Sequence, residues 1–304
     1  MARPETELLD PGTLSDVEAF GYRARVLADS VVAGVHRSRH HGTSAEFAEH
    51  KEYAPGDNLK DLDWRAFARN DRHYVKRFED ESNLRALCVL DTSGSMGYPA
   101  DAERPSKLRV AALAAAALSY VLNRQGDAVG LATHDDQLVI RVPSRARRGQ
   151  MQEIMQILAG LEASGPSRLG PVLDSLAEGL RQRSVVLLFS DLLDGGLEAL
   201  GALSRLRARK HDVALFHVLD PDELEFPFED ATRFLSMEDD RELQIDGRSV
   251  RRAYLDEMER FRQQASTSCA SARADYRLLR TDAPVGPLLG RFLDERASAR
   301  ASVR

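Results

Sequence analysis

Apolar positions change their rhythm several times along the chain. Val17, Phe20, Ala24, Leu27, Val31 and Val35 recur at three- and four-residue intervals, which predicts a helix over 15–36. Ser15 followed by Glu18 reads as a capping box at its start. From Arg37 to Glu81 the periodicity fades into a dense, charged, aromatic-studded stretch with a turn at Pro55-Gly56-Asp57. Beyond it, apolar runs and helical periods alternate. Leu84 to Leu90 is an apolar run ending at Asp91, and 107–125 reads as a helix. The runs 127–133 and 137–142 predict a strand pair joined around Asp135-Asp136, followed by helices near 148–161 and 168–182. Ser184 to Ser190 is a β-branched and apolar strand ending at Asp191. A helix near 196–209 leads to a strand over 213–219, and 233–237 can pair with 241–245. A long helix over 249–270, a strand at 276–279 and a C-terminal helix finish the pattern, with Ala297 to Arg304 read as frayed.

Strands separated by helices predict an α/β fold: a Rossmann-like, mainly parallel sheet flanked by helices on both faces. The expected division is 1–81, an N-terminal helix and irregular charged extension packed on the core, and 82–304, the α/β domain with its C-terminal helices.

Composition narrows the function classes. Apolar residues make up 43% and charged residues 30% of the 304, as in a soluble globular protein. A net charge of -6 leaves no electrostatic footprint for nucleic acid. The alanine-rich run from Val110 to Leu122 falls short of the roughly 20 residues a bilayer span requires, so no membrane span is predicted. Cys88 and Cys269 are far apart and read as two buried thiols, which with the absent signal core suits a cytoplasmic protein.

Candidate chemistry gathers at strand ends, where α/β sheets bind ligands. Asp91, Ser93 and Ser95 put one carboxylate and two hydroxyls on a tight loop made possible by Gly94. Asp191 follows a second core strand. Ser167, in Gly165-Pro166-Ser167, opens a helix, where it is either a further ligand or a plain N-cap. All are hard oxygen donors with few charges, a set suited to Mg²⁺ or Mn²⁺ that retains Lewis acidity toward a carboxylate on a partner.

Asp91-Thr-Ser93-Gly-Ser95 resembles the Asp-x-Ser-x-Ser signature of the metal-ion-dependent adhesion site of von Willebrand factor type A domains. By that resemblance Ser167 stands where those domains usually place Thr, and Asp191 at their final aspartate. A second, longer tract runs Glu46-Phe47-Ala-Glu49-His-Lys-Glu52-Tyr53-Ala-Pro55-Gly56-Asp57-Asn-Leu59-Lys-Asp-Leu62-Asp63-Trp64. It resembles the hallmark of the bacterial domain of unknown function 58 family, with Asn58 and Asp61 departing from the usual pattern. The resemblance implies a von Willebrand factor type A-like core and a partnership with a MoxR-type AAA+ ATPase in assembly or maturation of protein complexes. The chain itself has no Gly-x-x-x-x-Gly-Lys-[Ser/Thr] loop to bind nucleotide.

The expected function is therefore a non-enzymatic, metal-dependent adaptor that binds an acidic side chain of a partner protein. The alternatives are a metal-dependent hydrolase using Asp91 and a structural scaffold with a vacant metal site. Against the hydrolase, the position two residues past Asp91 is Ser93 and not a second acid. Blander readings cover the remaining features. His36, His40, His41 and His50 fit no zinc spacing, Arg145, Arg147 and Arg148 read as a solvated loop, and Glu223 to Asp230 as an exposed connection. The Glu46 to Trp64 tract is either structural or a partner surface.

Overall fold

The apolar runs form strands that pair side by side, and the periodic segments form the helices that cover them. The computed structural model describes residues 11–39, 51–52, 74–75, 84–99, 104–193, 195–237 and 241–302. Two compact units divide the chain: Met1–Val35 with Leu84–Arg304, and His36–Asn83. In the second unit, β1 (Lys51–Glu52) and β2 (Tyr74–Val75) form a short antiparallel pair. The rest of the Glu46 to Trp64 tract, with His40, His41 and His50, lies outside the described residues.

In the first unit the elements run α1 (Pro11–Arg39), β3 (Arg85–Asp91), α2 (Lys107–Arg124), β4 (Ala128–His134), β5 (Leu138–Arg145), α3 (Gln150–Ala159) and α4 (Leu169–Gly179). They continue with β6 (Ser184–Ser190), α5 (Gly196–Ala199), α6 (Leu203–Ala208), β7 (Asp212–Leu219), α7 (Pro221–Glu225), β8 (Ala231–Leu235), β9 (Glu242–Asp246), α8 (Gly247–Ser271), β10 (Asp275–Arg280) and α9 (Val285–Ser302). Six strands make one sheet in the order β10-β7-β6-β3-β4-β5. Only β5 runs antiparallel to its neighbour; every other pairing is parallel. This is the α/β architecture expected from the alternating pattern.

The four central strands β3, β4, β6 and β7 are buried on both faces, which explains why they are predominantly apolar, whereas the edge strand β5 exposes Val139 and Arg141. Ala86, Cys88 and Leu90 of β3 join Leu187 and Phe189 of β6 and Phe216 of β7 in one core, covered by α1, α2, α3 and α9. Leu87, Val89, Val186, Leu188 and Leu215 face the other way, against α4, α6 and α8. Phe189 stacks on Phe216 at 4.7 Å between ring centroids, and Phe292 of α9 meets Phe216 edge-on. Phe20, Ala24, Ala28 and Val31 give α1 its buried stripe, and Arg109 lies over the Phe20 ring.

The chain starts this sheet at β3, steps outward through β4 to β5, then crosses back to β6 on the other side of β3. Strand order reverses between β3 and β6, so a crevice forms beyond their carboxyl ends. Asp91 and Asp191 stand there because each directly follows the last apolar residue of its strand or the serine that ends it.

Several expectations need correction. α1 begins at Pro11, so Ser15 lies inside the helix and not at its cap; proline at the first position, where no N–H bond is lost, starts it instead. α9 runs on to Ser302, through most of the stretch read as frayed. The acidic stretch is not simply an exposed connection. Asp220 caps α7 in a capping box with Glu223, and Phe226 is buried among Phe228, Phe234 and Tyr254.

Gly130 of β4 sits where the register with β5 shifts. A β-carbon there would fall 2.6 Å from the Val142 carbonyl oxygen and 2.7 Å from Ser144 N and Oγ. The gap lets the Ser144 hydroxyl donate past β4 to the Ala86 carbonyl of β3 at 2.8 Å. Gly130→Ala should therefore destabilise the fold by about 1–3 kcal/mol in urea unfolding, through overpacking against backbone that cannot give way. Cys88 and Cys269 are both buried, and burial pushes their thiols up to about 11 and about 12. Neither should react with iodoacetamide at pH 8 in the folded protein, whereas both should be alkylated in urea.

Candidate metal centre

Three loops meet at the crevice and are tied by their backbones. Gly94 N donates to the Gly165 carbonyl (2.8 Å), Ser164 N to the Thr92 carbonyl (2.8 Å), and Thr92 N to the His134 carbonyl (2.7 Å). Arg168 N donates to the Asp135 carbonyl, closing the ring of loops. Gly165 takes the left-handed region (φ 75°) that glycine enters without cost.

Asp91 is almost wholly buried and both its oxygens are engaged. Oδ1 accepts Ser93 N at 3.0 Å, while Oδ2 accepts the Ser190 hydroxyl at 2.7 Å and the Ser167 hydroxyl at 3.3 Å. The Ser93 and Ser95 hydroxyls lie 3.2 Å apart. Asp191 Oδ1 accepts Leu193 N at 3.1 Å, and Ser95 lies close enough to favour the ionised carboxylate. All five residues named from the sequence thus fall into one connected cluster. Ser167, however, is not the N-cap of α4. Arg168 holds that position without a side-chain bond, and the Ser167 hydroxyl turns to Asp91 instead.

Residues that sequence reasoning did not assign complete the cluster. Lys107, fully buried at the first turn of α2, donates to Asp191 Oδ2 at 2.7 Å and to Glu223 Oε1 at 2.5 Å. Nothing local marks it: a lysine opening a helix opposes the positive end of the dipole, but a solvated lysine there needs no anionic partner. His217, at the end of β7, bonds the Asp191 carbonyl through Nε2 at 2.9 Å. That contact requires a proton on Nε2, leaving Nδ1 to accept from the Tyr276 hydroxyl at 2.8 Å. Leu192, buried beside Asp191, holds a left-handed backbone (φ 58°), fixed by Ser190 Oγ accepting from its N–H.

The electrostatics follow from two carboxylates, Asp191 and Glu223, sharing one buried ammonium. Burial works against the Lys107 charge, but Asp191 and Glu223 outweigh it and raise the amine above the ordinary lysine range. Burial also opposes the Asp191 charge, yet the Lys107 ammonium and hydrogen bonds hold this carboxyl below the usual range. Glu223 goes the other way: burial, reinforced by Asp191, lifts it despite the bond from Lys107. Burial pushes His217 down to about 4, so the ring is neutral at pH 7.

The donor chemistry is all oxygen: two carboxylates and three hydroxyls. Among the described residues no group of three or more His, Cys, Asp or Glu could hold a metal. The serine-rich set has hard, mostly neutral donors, a chemistry that fits a small divalent ion keeping several waters. Asp91, Ser93, Ser95, Ser167 and Asp191 are the residues that could hold it.

The profile of a family described as "Protein of unknown function DUF58" matches residues 49–264. Uncharacterized proteins of Mycobacterium tuberculosis (Rv1480) and Mycobacterium bovis (Mb1516) are each 27% identical over 221 residues, covering 72% of this chain and 68% of theirs. Among solved structures, the conserved hypothetical protein BatB from Bacteroides thetaiotaomicron is similar at 13% identity (71% of this chain, 99% of that one, TM-score 0.47). An aerotolerance-related membrane protein from Bacteroides fragilis follows at 16% identity (70% and 97%, TM-score 0.46), and the SpRpn10 VWA domain at 14% (68% and 94%, TM-score 0.38). At these TM-scores the fold assignment stands on the sheet order and parallel register, not on the likenesses. No helix among the described residues is long and apolar enough to cross a membrane.

Ser190 anchors the cluster by accepting from Leu192 N and donating to Asp91. Ser190→Ala should cost about 1–3 kcal/mol in urea unfolding, because it leaves a buried N–H and a carboxylate oxygen short of partners. A loss under about 0.5 kcal/mol, the level of an ordinary surface change, would contradict this assignment.

Proposed function

Because the chain belongs to the DUF58 protein family, we propose that it is a divalent-metal-dependent protein-binding adaptor. The observation that carries the reading is the single cluster of Asp91, Ser93, Ser95, Ser167 and Asp191 at the reversal of strand order. Mg²⁺ or Mn²⁺ held there would supply Lewis acidity toward an Asp or Glu side chain of a partner.

The chain's own residues prepare that role. Ser93, Ser95 and Ser167 contribute neutral oxygens, so the protein adds only the charges of Asp91 and Asp191 to the ligand set. The Ser93 N–H and the Ser190 hydroxyl fix the Asp91 carboxylate, and Leu193 N–H fixes that of Asp191. Preorganised ligands of this kind bind an incoming group without reordering the loops. The family resemblance suggests a MoxR-type AAA+ ATPase as the partner, supplying the nucleotide chemistry for assembly or maturation of other complexes. A binding role is favoured over hydrolysis because Ser93, and no second acid, stands two residues past Asp91.

One observation favours a rival reading, a scaffold that holds no metal: Lys107 already neutralises Asp191. Calorimetry separates the two. Wild type should bind Mg²⁺ and Mn²⁺ saturably, and an Asp91→Ala/Ser93→Ala variant that retains its circular dichroism should lose that binding. Affinity capture from cells in Mg²⁺ should recover an AAA+ ATPase that EDTA releases. Metal binding unchanged in the variant, or an ATPase absent under both conditions, would contradict the adaptor reading.

A further inference from the structure

Lys107 is the most unusual group in the cluster. Its ammonium is fully buried, is held by Asp191 Oδ2 at 2.7 Å and Glu223 Oε1 at 2.5 Å, and rests on a helix end that repels it. Of its two partners, only Asp191 belongs to the candidate ligand set. Glu223 lies on a separate short segment, Pro221–Glu225, that is fixed from outside the cluster. Asp220 caps it, Arg104 bridges Asp220 and Asp222, and the Tyr98 hydroxyl donates to Asp222 at 2.7 Å. The ammonium therefore has a second carboxylate already in place should Asp191 be taken from it.

We propose that Lys107 is a resident cation of the site, competing with a divalent ion for Asp191 and passing to Glu223 alone when that ion binds. The inference rests on the metal reading given above. Two cations cannot share one buried carboxylate oxygen without strong repulsion, since charges a few ångströms apart in a protein interior interact far more strongly than in water. Occupancy by metal alone is thus held weak. A partner carboxylate adds the missing negative charge, so partner and ion bind cooperatively, each raising the affinity for the other. Lys107 is a positioning residue in this scheme and Glu223 its alternate counter-ion; neither is a metal ligand.

The test is Mn²⁺ titration of the full chain by calorimetry, with melting temperature measured with and without Mn²⁺. Lys107→Met should bind Mn²⁺ at least about tenfold more tightly than wild type, and Mn²⁺ should raise its melting temperature more than it raises that of wild type. Glu223→Gln, which leaves the ammonium committed to Asp191, should bind several-fold more weakly. Glu225→Gln removes a charge from the same segment without touching Lys107, and should stay within about twofold of wild type. If Lys107→Met does not fold, Glu223→Gln against Glu225→Gln decides.

The outcomes separate the two claims. Binding by wild type with equal or weaker binding by Lys107→Met, or with Glu223→Gln no weaker than Glu225→Gln, overturns the role of Lys107 and leaves the metal site standing. Binding by Lys107→Met where wild type binds nothing upholds the competition, and removes the metal dependence proposed for the unaided chain. No Mn²⁺ binding by any folded variant overturns both.

Discussion

Two aspartates end adjacent parallel strands, and both are removed from water. Burying charged carboxylates is costly unless each oxygen finds a donor, so the surrounding structure is organised around supplying donors. Asp91 is served by Ser93 N–H and by the hydroxyls of Ser190 and Ser167, drawn from three separate stretches of chain. Asp191 is served by Leu193 N–H, Ser95 and Lys107. Satisfying these two residues fixes how the loop after β3, the entrance to α4 and the first turn of α2 sit together. The same requirement fixes the His217 ring, whose Nε2 proton holds the Asp191 carbonyl from below.

The sheet was legible because its evidence is local. A strand buried on both faces must be apolar throughout, and Ser184 to Ser190 reads that way and forms β6 with those bounds. The five oxygen donors were legible for the same reason: each lies beside a strand end or a glycine-bearing turn, and a motif of five residues carries three of them. Lys107 and Glu223 were not, because their partnership spans 116 positions and exists only once β3, β6 and β7 have paired. Glu223 looked like one of several acids in an exposed stretch, and nothing nearby marks it as the one turned inward. The reading of Ser167 as an N-cap failed by one position. α4 begins at Leu169, so Arg168 takes the cap position and Ser167, one residue earlier, donates its hydroxyl to Asp91.

A site built from hydroxyls and two carboxylates, with an ammonium already present, is poorly suited to trapping a metal permanently. On the reading proposed here that is its use: a modest affinity for the ion alone leaves room for a partner's carboxylate to decide occupancy. The segment bearing Glu223 continues directly into the β8–β9 arm, where Leu235 and Leu243 stand exposed.

On the reading proposed above, the two strand-end aspartates and three serines form one divalent-ion site. Anomalous diffraction from crystals grown in Mn²⁺, together with the carboxylate of an acidic peptide or acetate, tests it most directly. One strong manganese peak is expected among Asp91, Ser93, Ser95, Ser167 and Asp191, with the Lys107 ammonium shifted from Asp191 toward Glu223. A peak elsewhere, or none with Lys107 still bound to Asp191, would contradict it.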